Sequence, residues 1–257
     1  MRWKRIAARM ISEVSALKSG KGFLPGFRVM LYHAVGSRLA HDPYGISVEA
    51  KLFKEQTKFL SESPAVDVVR FQDGHAGNSS LRVALTFDDG YKDNLYTAAP
   101  ILLEFNIPFT VFVTSAFIQS GSKEYLTPAE LRELASLTGV NIGSHGATHL
   151  PLAGCDDQTL RQELSDSRSY IEDVIGREVT SVAYPHGSVN IRVRDAAQDI
   201  GYTRGACSRF GINDESRDPL LLCRCEVVAA DSERVFLQKV KGAWDWYRWR
   251  ERDPAHD

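Results

Sequence analysis

Leu81-Arg82-Val83-Ala84-Leu85-Thr86-Phe87-Asp88-Asp89-Gly90 is the stretch on which the reading of the whole chain turns. It opens as a short apolar run, the pattern of a buried strand, and closes on two adjacent carboxylates and a glycine. Side chains alternate faces along a strand, so Asp88 and Asp89 can serve one site only if the chain turns between them. Two carboxylates at a strand end suit divided labour, one holding a metal and the other free as a base. A strand running into a helix cap, with Asp-Asp-Gly as turn chemistry, accounts for the same residues more plainly. The surroundings choose between the two.

Upstream, residues 28–33 read as a buried strand that ends on His33. A helix is expected over about 48–61, a short strand over 65–69 and a polar loop over 72–80. Downstream come a helix over about 93–105 and a β-branched, aromatic strand at Phe109–Val113. Thr127-Pro128-Ala129-Glu130 is a capping box with proline at the first helical position, and it starts a helix to about 137. A strand at Val140–Ser144 runs straight into His145-Gly146-Ala147-Thr148-His149. A helix over about 157–175 stops at Gly176, and a strand over 179–184 ends in Pro185-His186-Gly187. A helix over about 191–200, strands near 202–206 and over 223–228, and a helix from about Ser232 follow. Strand and helix alternate throughout, which predicts a parallel sheet and, at 257 residues, a closed (β/α) barrel. A doubly wound open sheet is the alternative, but no glycine-rich nucleotide loop follows any strand.

With 43% hydrophobic and 25% charged residues the chain reads as a globular protein with a substantial core. Its formal net charge of −2 provides no pull towards nucleic acid. Cys155, Cys207, Cys223 and Cys225 form no CxxC pair or regular framework and read as free thiols in a reducing compartment. No apolar run is long enough to span a membrane. The basic start lacks the apolar core and cleavage site of a signal peptide, so a cytoplasmic location is expected. Trp3, Ile6, Ala7, Met10, Val14 and Leu17 share one helical face. Residues 1–26 are therefore expected to be an amphipathic helix and linker, which packs on the body or lies against the inner membrane face. Residues 27–257 make the main domain.

Four of the seven histidines, His33, His145, His149 and His186, follow predicted strands, as do Asp88 and Asp89. In a parallel barrel these strand ends converge on one face, where active sites form. His145-xxx-His149 brings two imidazoles together, and with Asp89 makes a ligand set of two nitrogens and one oxygen. Such a set leaves a coordination position open, as a catalytic divalent metal, zinc by this donor chemistry, requires.

Thr86-Phe87-Asp88-Asp89-Gly90, Ser144-His145-Gly146-Ala147-Thr148-His149 and Ala183-Tyr184-Pro185-His186-Gly187 resemble, in order and spacing, the first three motifs of the polysaccharide deacetylases. These are the carbohydrate esterases of family four, related to the nodulation chitooligosaccharide deacetylases. The resemblance spans about residues 28–228. It implies a distorted (β/α)7 barrel and metal-dependent removal of acetyl groups from sugars. It further implies that Asp89, His145 and His149 hold the metal and that Asp88 is the catalytic base. Tyr184, Pro185, His186 and Gly187 would line the substrate groove, where a backbone N–H helps to bind the oxyanion.

The chain departs from the family pattern in three places. The arginine that usually precedes the Tyr-Pro segment is absent, with Ser181 and Val182 nearby. The late Asp-Trp motif is missing where expected, since Trp244-Asp245-Trp246 falls too late, on the expected C-terminal helix. No Leu-x-His stands near the last strand, where Leu222-Cys223-Arg224-Cys225-Glu226 is found. The usual catalytic acid thus has no counterpart there. Met30-Leu31-Tyr32-His33-Ala34-Val35 resembles the Tyr-His-x-Val segment of a bacterial subgroup, which assigns the acid to His33, with His186 as the rival. The expected function is hydrolysis of an N-acetylated glycan or glycan precursor. A small-molecule amidase of the same fold and an inactive carbohydrate-binding protein are the alternatives. The aromatic run Trp244, Trp246, Tyr247 and Trp249 suits core docking better than sugar stacking.

Overall fold

A computed structural model describes residues 11–13, 22–74, 80–250 and 252–256. Its frame is a curled parallel sheet. In chain order the strands are β1 (Gly26–Tyr32), β2 (Ala34–Val35), β3 (Ser47–Val48), β4 (Val66–Val68), β5 (Leu81–Phe87), β6 (Phe109–Val113), β7 (Val140–Ser144), β8 (Ser181–Ala183), β9 (Arg204–Ala206) and β10 (Cys225–Glu226). Around the frame they run β10-β1-β5-β6-β7-β8-β9, with β2 and β3 forming a separate pair. A parallel bridge between Ala206 and Leu222 returns the segment leading into β10 to β9. The seven strands on this path so close on themselves, with β4 as an eighth strand off it, as the distorted (β/α)7 barrel required. The distortion has a local cause: β4 pairs Val66–Val68 with the first half of one edge of β5, and β6 takes only the second half, from Leu85 onward.

Alternation along β5 sorts its residues into two layers. Leu81, Val83, Leu85 and Phe87 join the larger core beneath the helices. Ala84 faces the barrel interior with Phe27, Val29, Phe112, Ala183, Ala206 and Leu222. Several of these interior side chains are small, and the space they leave matters below.

The main helices pack outside: α1 (Ala50–Glu62), α2 (Ala99–Glu104), α3 (Ser115–Gln119), α4 (Pro128–Ser136), α5 (Asp157–Ile175), α6 (Ile191–Ile200) and α7 (Glu233–Val240). The capping box of α4 is present, with Thr127 accepting from the Glu130 N–H and Glu130 accepting from the Thr127 N–H. The left-handed Gly176 closes α5. The helix expected over 93–105 is divided, because its first turn, Asn94–Ala98, is a π-helix. Such turns gather at functional sites.

The C-terminal aromatic run follows α7 in a 3₁₀ turn, Asp245–Arg250, instead of lying on the helix. Trp244 is buried, Trp246 and Tyr247 pack on the core, and Trp249 is exposed. Asp245 takes a bidentate bond from the buried Arg28, at 2.7 and 3.0 Å, and so ties this segment to the outside of β1. The run is a docking element. Most of the expected N-terminal face, Trp3 to Leu17, lies outside the described residues. Within it Ile11, Ser12 and Glu13 are helical, and Ser12 is buried and accepts a 2.9 Å bond from Trp246 Nε1. Among the described residues no helix is long and apolar enough to cross a membrane.

Candidate active site

The two carboxylates end β5 in different backbone conformations. Asp88 continues the strand: its N–H donates to Tyr32 O at 2.9 Å, and its side chain follows Ala84 and Thr86 into the barrel. Asp89 then turns left-handed, with φ 75°, so its carboxylate swings back towards the same cavity. That is the turn which adjacency demanded. Gly90 is also left-handed, and a Cβ there would stand 2.9 Å from Val113 Cγ1, so β6 leaves no room for a side chain.

His145 leaves the end of β7 with its N–H on Val113 O, and Ala183 O accepts from its Nδ1 at 2.7 Å. That bond puts the proton on Nδ1 and turns the Nε2 lone pair inward. His149, at φ 66°, closes the loop. Thr148, beside it, donates to the buried Glu163 through both its N–H and its hydroxyl. The His149 ring lies between Phe117 and His186, at centroid separations of 5.6 and 4.4 Å. Strained backbone at Asp89, His149 and His186, each a non-glycine residue with positive φ, is concentrated at this one cavity.

Asp89, His145 and His149 present three ligand atoms within 4.8 Å of one another. Asp89 Oδ1 is buried with no hydrogen-bond partner, facing His149 Nε2 at 3.3 Å and His145 Nε2 at 3.6 Å. An orphaned carboxylate oxygen facing two imidazole nitrogens fits a divalent cation. Burial alone would raise the Asp89 pKa, but the surrounding His149, His145 and His33 hold it well below the usual carboxylate range. Burial holds His145 in its neutral form, the form a metal ligand needs.

Asp88 is engaged differently. Both its oxygens accept from Arg224, Oδ1 from Nη1 and Oδ2 from Nη2, each at 2.7 Å, and both residues are almost wholly buried. Arg224 reaches in from the segment before β10, its Nε donating to Cys207 O at 2.9 Å. Small interior residues admit it, and its guanidinium lies 5.8 Å from the Phe112 ring. Burial would raise the Asp88 pKa, but the charge and hydrogen bonds of Arg224, together with His145 and His33, keep the carboxyl below its ordinary value. Arg224 is the functional residue that sequence reasoning passed over. It enters from the far side of the barrel seam, at the third position of Leu222-Cys223-Arg224. The only signal was a charged residue on the inward face of an apolar strand.

The remaining expected residues divide. His33 stands at the rim, partly exposed, where its charge bears on both Asp88 and Asp89. Its Nδ1 is buried without a partner, and its carbonyl accepts from Asn94 Nδ2 at 2.9 Å. The π-turn of 94–98 thereby anchors the rim. Tyr184 and Pro185 do not line a groove with their side chains, because both are buried. The Tyr184 hydroxyl donates to Leu220 O at 3.0 Å, so the ring serves the core. His186 is exposed beside His149, and Gly187 sits in the same tight turn.

The metal assignment carries a direct expectation. Zinc added at a hundred times its Kd should stabilise the protein by about 2.7 kcal/mol, read as a rise in Tm. His145→Ala should lose that rise. A variant that keeps it would place the metal elsewhere.

The polysaccharide deacetylase family model matches residues 76–205. The chain is 28% identical over 215 residues to YxkH of Bacillus subtilis (strain 168), whose name assigns it provisionally to the polysaccharide deacetylases. That alignment covers 81% of this chain and 74% of the relative. Among solved structures, the Streptococcus pyogenes deacetylase PplD, in complex with acetate, superposes with a TM-score of 0.73 at 22% identity, covering 84% of this chain and 99% of that one. A de-N-acetylase from Aggregatibacter actinomycetemcomitans gives 0.70 at 19% identity, covering 83% and 99%. At these identities the superpositions establish a shared fold.

Proposed function

The chain belongs to the polysaccharide deacetylase family, and on that premise we propose that it hydrolyses the N-acetyl group of a sugar within a glycan or glycan precursor. The observation that carries this reading is the separation of the two carboxylates, Asp88 bound by Arg224 and Asp89 facing two histidines. A divalent metal held by Asp89, His145 and His149, zinc by its donors, would supply Lewis acidity to the acetyl carbonyl and to water. Asp88 would take the proton from that water. Its two oxygens are held by Arg224, and Oδ2 also stands 3.7 Å from His145 Nε2, which aims the carboxylate at the site. The donor for the developing oxyanion would be the His186 N–H. In that segment the N–H groups of Tyr184, Gly187 and Ser188 are spent on carbonyls, and Pro185 has none.

An amine leaves poorly as an anion, so the departing nitrogen needs a proton, and His33 would provide it. Arg224 occupies the strand where the acid usually stands, and a guanidinium donates no proton at neutral pH. His33→Ala should lower turnover of an N-acetylated sugar roughly 10²-fold, the lower end for a general acid, while sparing an activated ester whose leaving group needs no proton. Metal content should not change. Equal loss on both substrates, or a larger selective loss with His186→Ala, would remove His33 from the role.

The function itself is tested by acetate release from N-acetylated glycan oligomers, with and without chelator. Release that requires metal supports the proposal. Release only from small cyclic amides would point to an amidase, and glycan binding without release to a binding protein.

A further inference from the structure

Two thiols sit on the outside of the barrel seam, directly behind Arg224. Ala206 and Leu222 are bridged in parallel register, and the Cys207 N–H donates to Leu222 O at 2.9 Å. Cys207 and Cys223 are therefore the next residues along, and alternation turns both to the outer face. Neighbouring strands run about 4.7–4.9 Å apart, within the span of about 4.4–6.8 Å between Cα atoms that a disulfide bridges. The Cys207 thiol donates to Leu222 O at 3.4 Å, beside the Cys223 sulfur.

Around that sulfur the structure places cations. Arg209 Nη1 stands 4.0 Å from Cys223 Sγ, and the Arg217 charge also bears on it. Asp253 pairs with both guanidiniums, yet Arg209 Nε and Arg217 Nη2 remain buried donors without an acceptor. The neighbouring Cys207 lowers the Cys223 thiol from its ordinary value, against the opposing effect of burial and with help from Arg217 and Arg209. The other thiols lack this setting: burial pushes Cys225 up to about 12, and Cys155 is also raised.

We propose that Cys207 and Cys223 are a peroxide-reactive dithiol that closes to a disulfide across the seam between β9 and the segment entering β10. The Cys223 thiolate attacks one oxygen of hydrogen peroxide. An S–O bond forms, the O–O bond breaks, and the departing hydroxide takes up a proton to leave as water. The unspent N–H groups of Arg209 and Arg217 are placed to bond the sulfenate oxygen. Cys207 sulfur then attacks Cys223 sulfur, the S–S bond forms, and the oxygen leaves as a second water with the Cys207 proton. Two thiols are oxidised by two electrons and one peroxide is reduced to two waters. The new bond would fix both residues that carry Arg224, since Cys223 precedes it and Cys207 O accepts from its Nε.

The test treats the folded full-length chain with hydrogen peroxide, then denatures, alkylates and maps its peptides. The expected result is loss of two of the four free thiols, as a Cys207–Cys223 link that dithiothreitol reverses and that raises Tm. In Cys207→Ser, a sulfenic acid at Cys223 should be trapped by dimedone; in Cys223→Ser, Cys207 should stay unmodified. The wild-type map needs no variant to fold. Four thiols still alkylatable, a link to Cys155 or Cys225, or a fall in Tm on oxidation would overturn the proposal.

Discussion

Asp88→Asn should bind metal as the native protein does and turn over roughly 10²–10⁴-fold more slowly. The amide matches the carboxylate in size but cannot accept the proton of water. The Arg224 contact makes the experiment more demanding than the sequence suggested. Asparagine leaves the Arg224 charge buried and unpaired, and breaking a buried pair from one side costs about 3–5 kcal/mol. Tm should therefore fall as well, and lost turnover could be mistaken for lost structure. Asp88→Asn combined with Arg224→Met separates the two, because methionine fills the space without a charge. The double variant should recover most of the stability and none of the turnover. Loss of metal from a folded Asp88→Asn protein would make Asp88 a ligand and reverse the division of the carboxylates.

Arg224→Ala is expected to be the most destabilising substitution at the site, by about 3–5 kcal/mol, because it strands a buried carboxylate. The direction with pH follows from the native pair. Asp88 has a folded pKa below its ordinary value, so the pair contributes fully above the unfolded carboxylate pKa of about 3.9. That contribution is lost as pH falls through the depressed folded value. In Arg224→Ala the strongest opposition to burial is gone, so the Asp88 pKa rises. The acidic limb of the pH–rate profile should move to higher pH, a change that a merely structural arginine would not cause. Arg224→Lys should restore charge without the two-point hold, and recover stability better than rate. An unchanged acidic limb in a folded Arg224→Ala protein would dismiss Arg224 as the group that tunes the base.

Much of this molecule is local and could be read along the chain. The strands at Phe109–Val113 and Val140–Ser144 and the helices at Asp157–Ile175 and Ile191–Ile200 stand where periodicity and caps put them. Their signals lie within a few residues of one another: a capping box at Thr127, a left-handed glycine at Gly176, β-branched runs bounded by turns. Strand–helix alternation carried the barrel, since parallel strands must be joined by crossovers. The grouping of Asp88, Asp89, His145 and His149 was legible for the same reason, because strand ends in such a barrel share one face.

Tertiary structure decided what depends on residues distant in sequence or on the sign of one dihedral. Adjacency called for a turn between Asp88 and Asp89, but that Asp89 itself makes it, at φ 75°, was decided in the folded chain. The family resemblance put Tyr184 in the groove-lining segment, but its ring is buried and its hydroxyl donates to Leu220 O. The C-terminal aromatics read as helical by continuity, whereas the Arg28–Asp245 pair holds a 3₁₀ turn against the barrel. Arg224 is the clearest case: 136 residues separate it from Asp88, and its sequence neighbours give no reason to place it there. Sequence alone determined which chemical groups the barrel mouth would hold. Which carboxylate stays free, and which cation keeps it ionised, was settled when the seam closed, because charge pairing depends on distance in space and not along the chain.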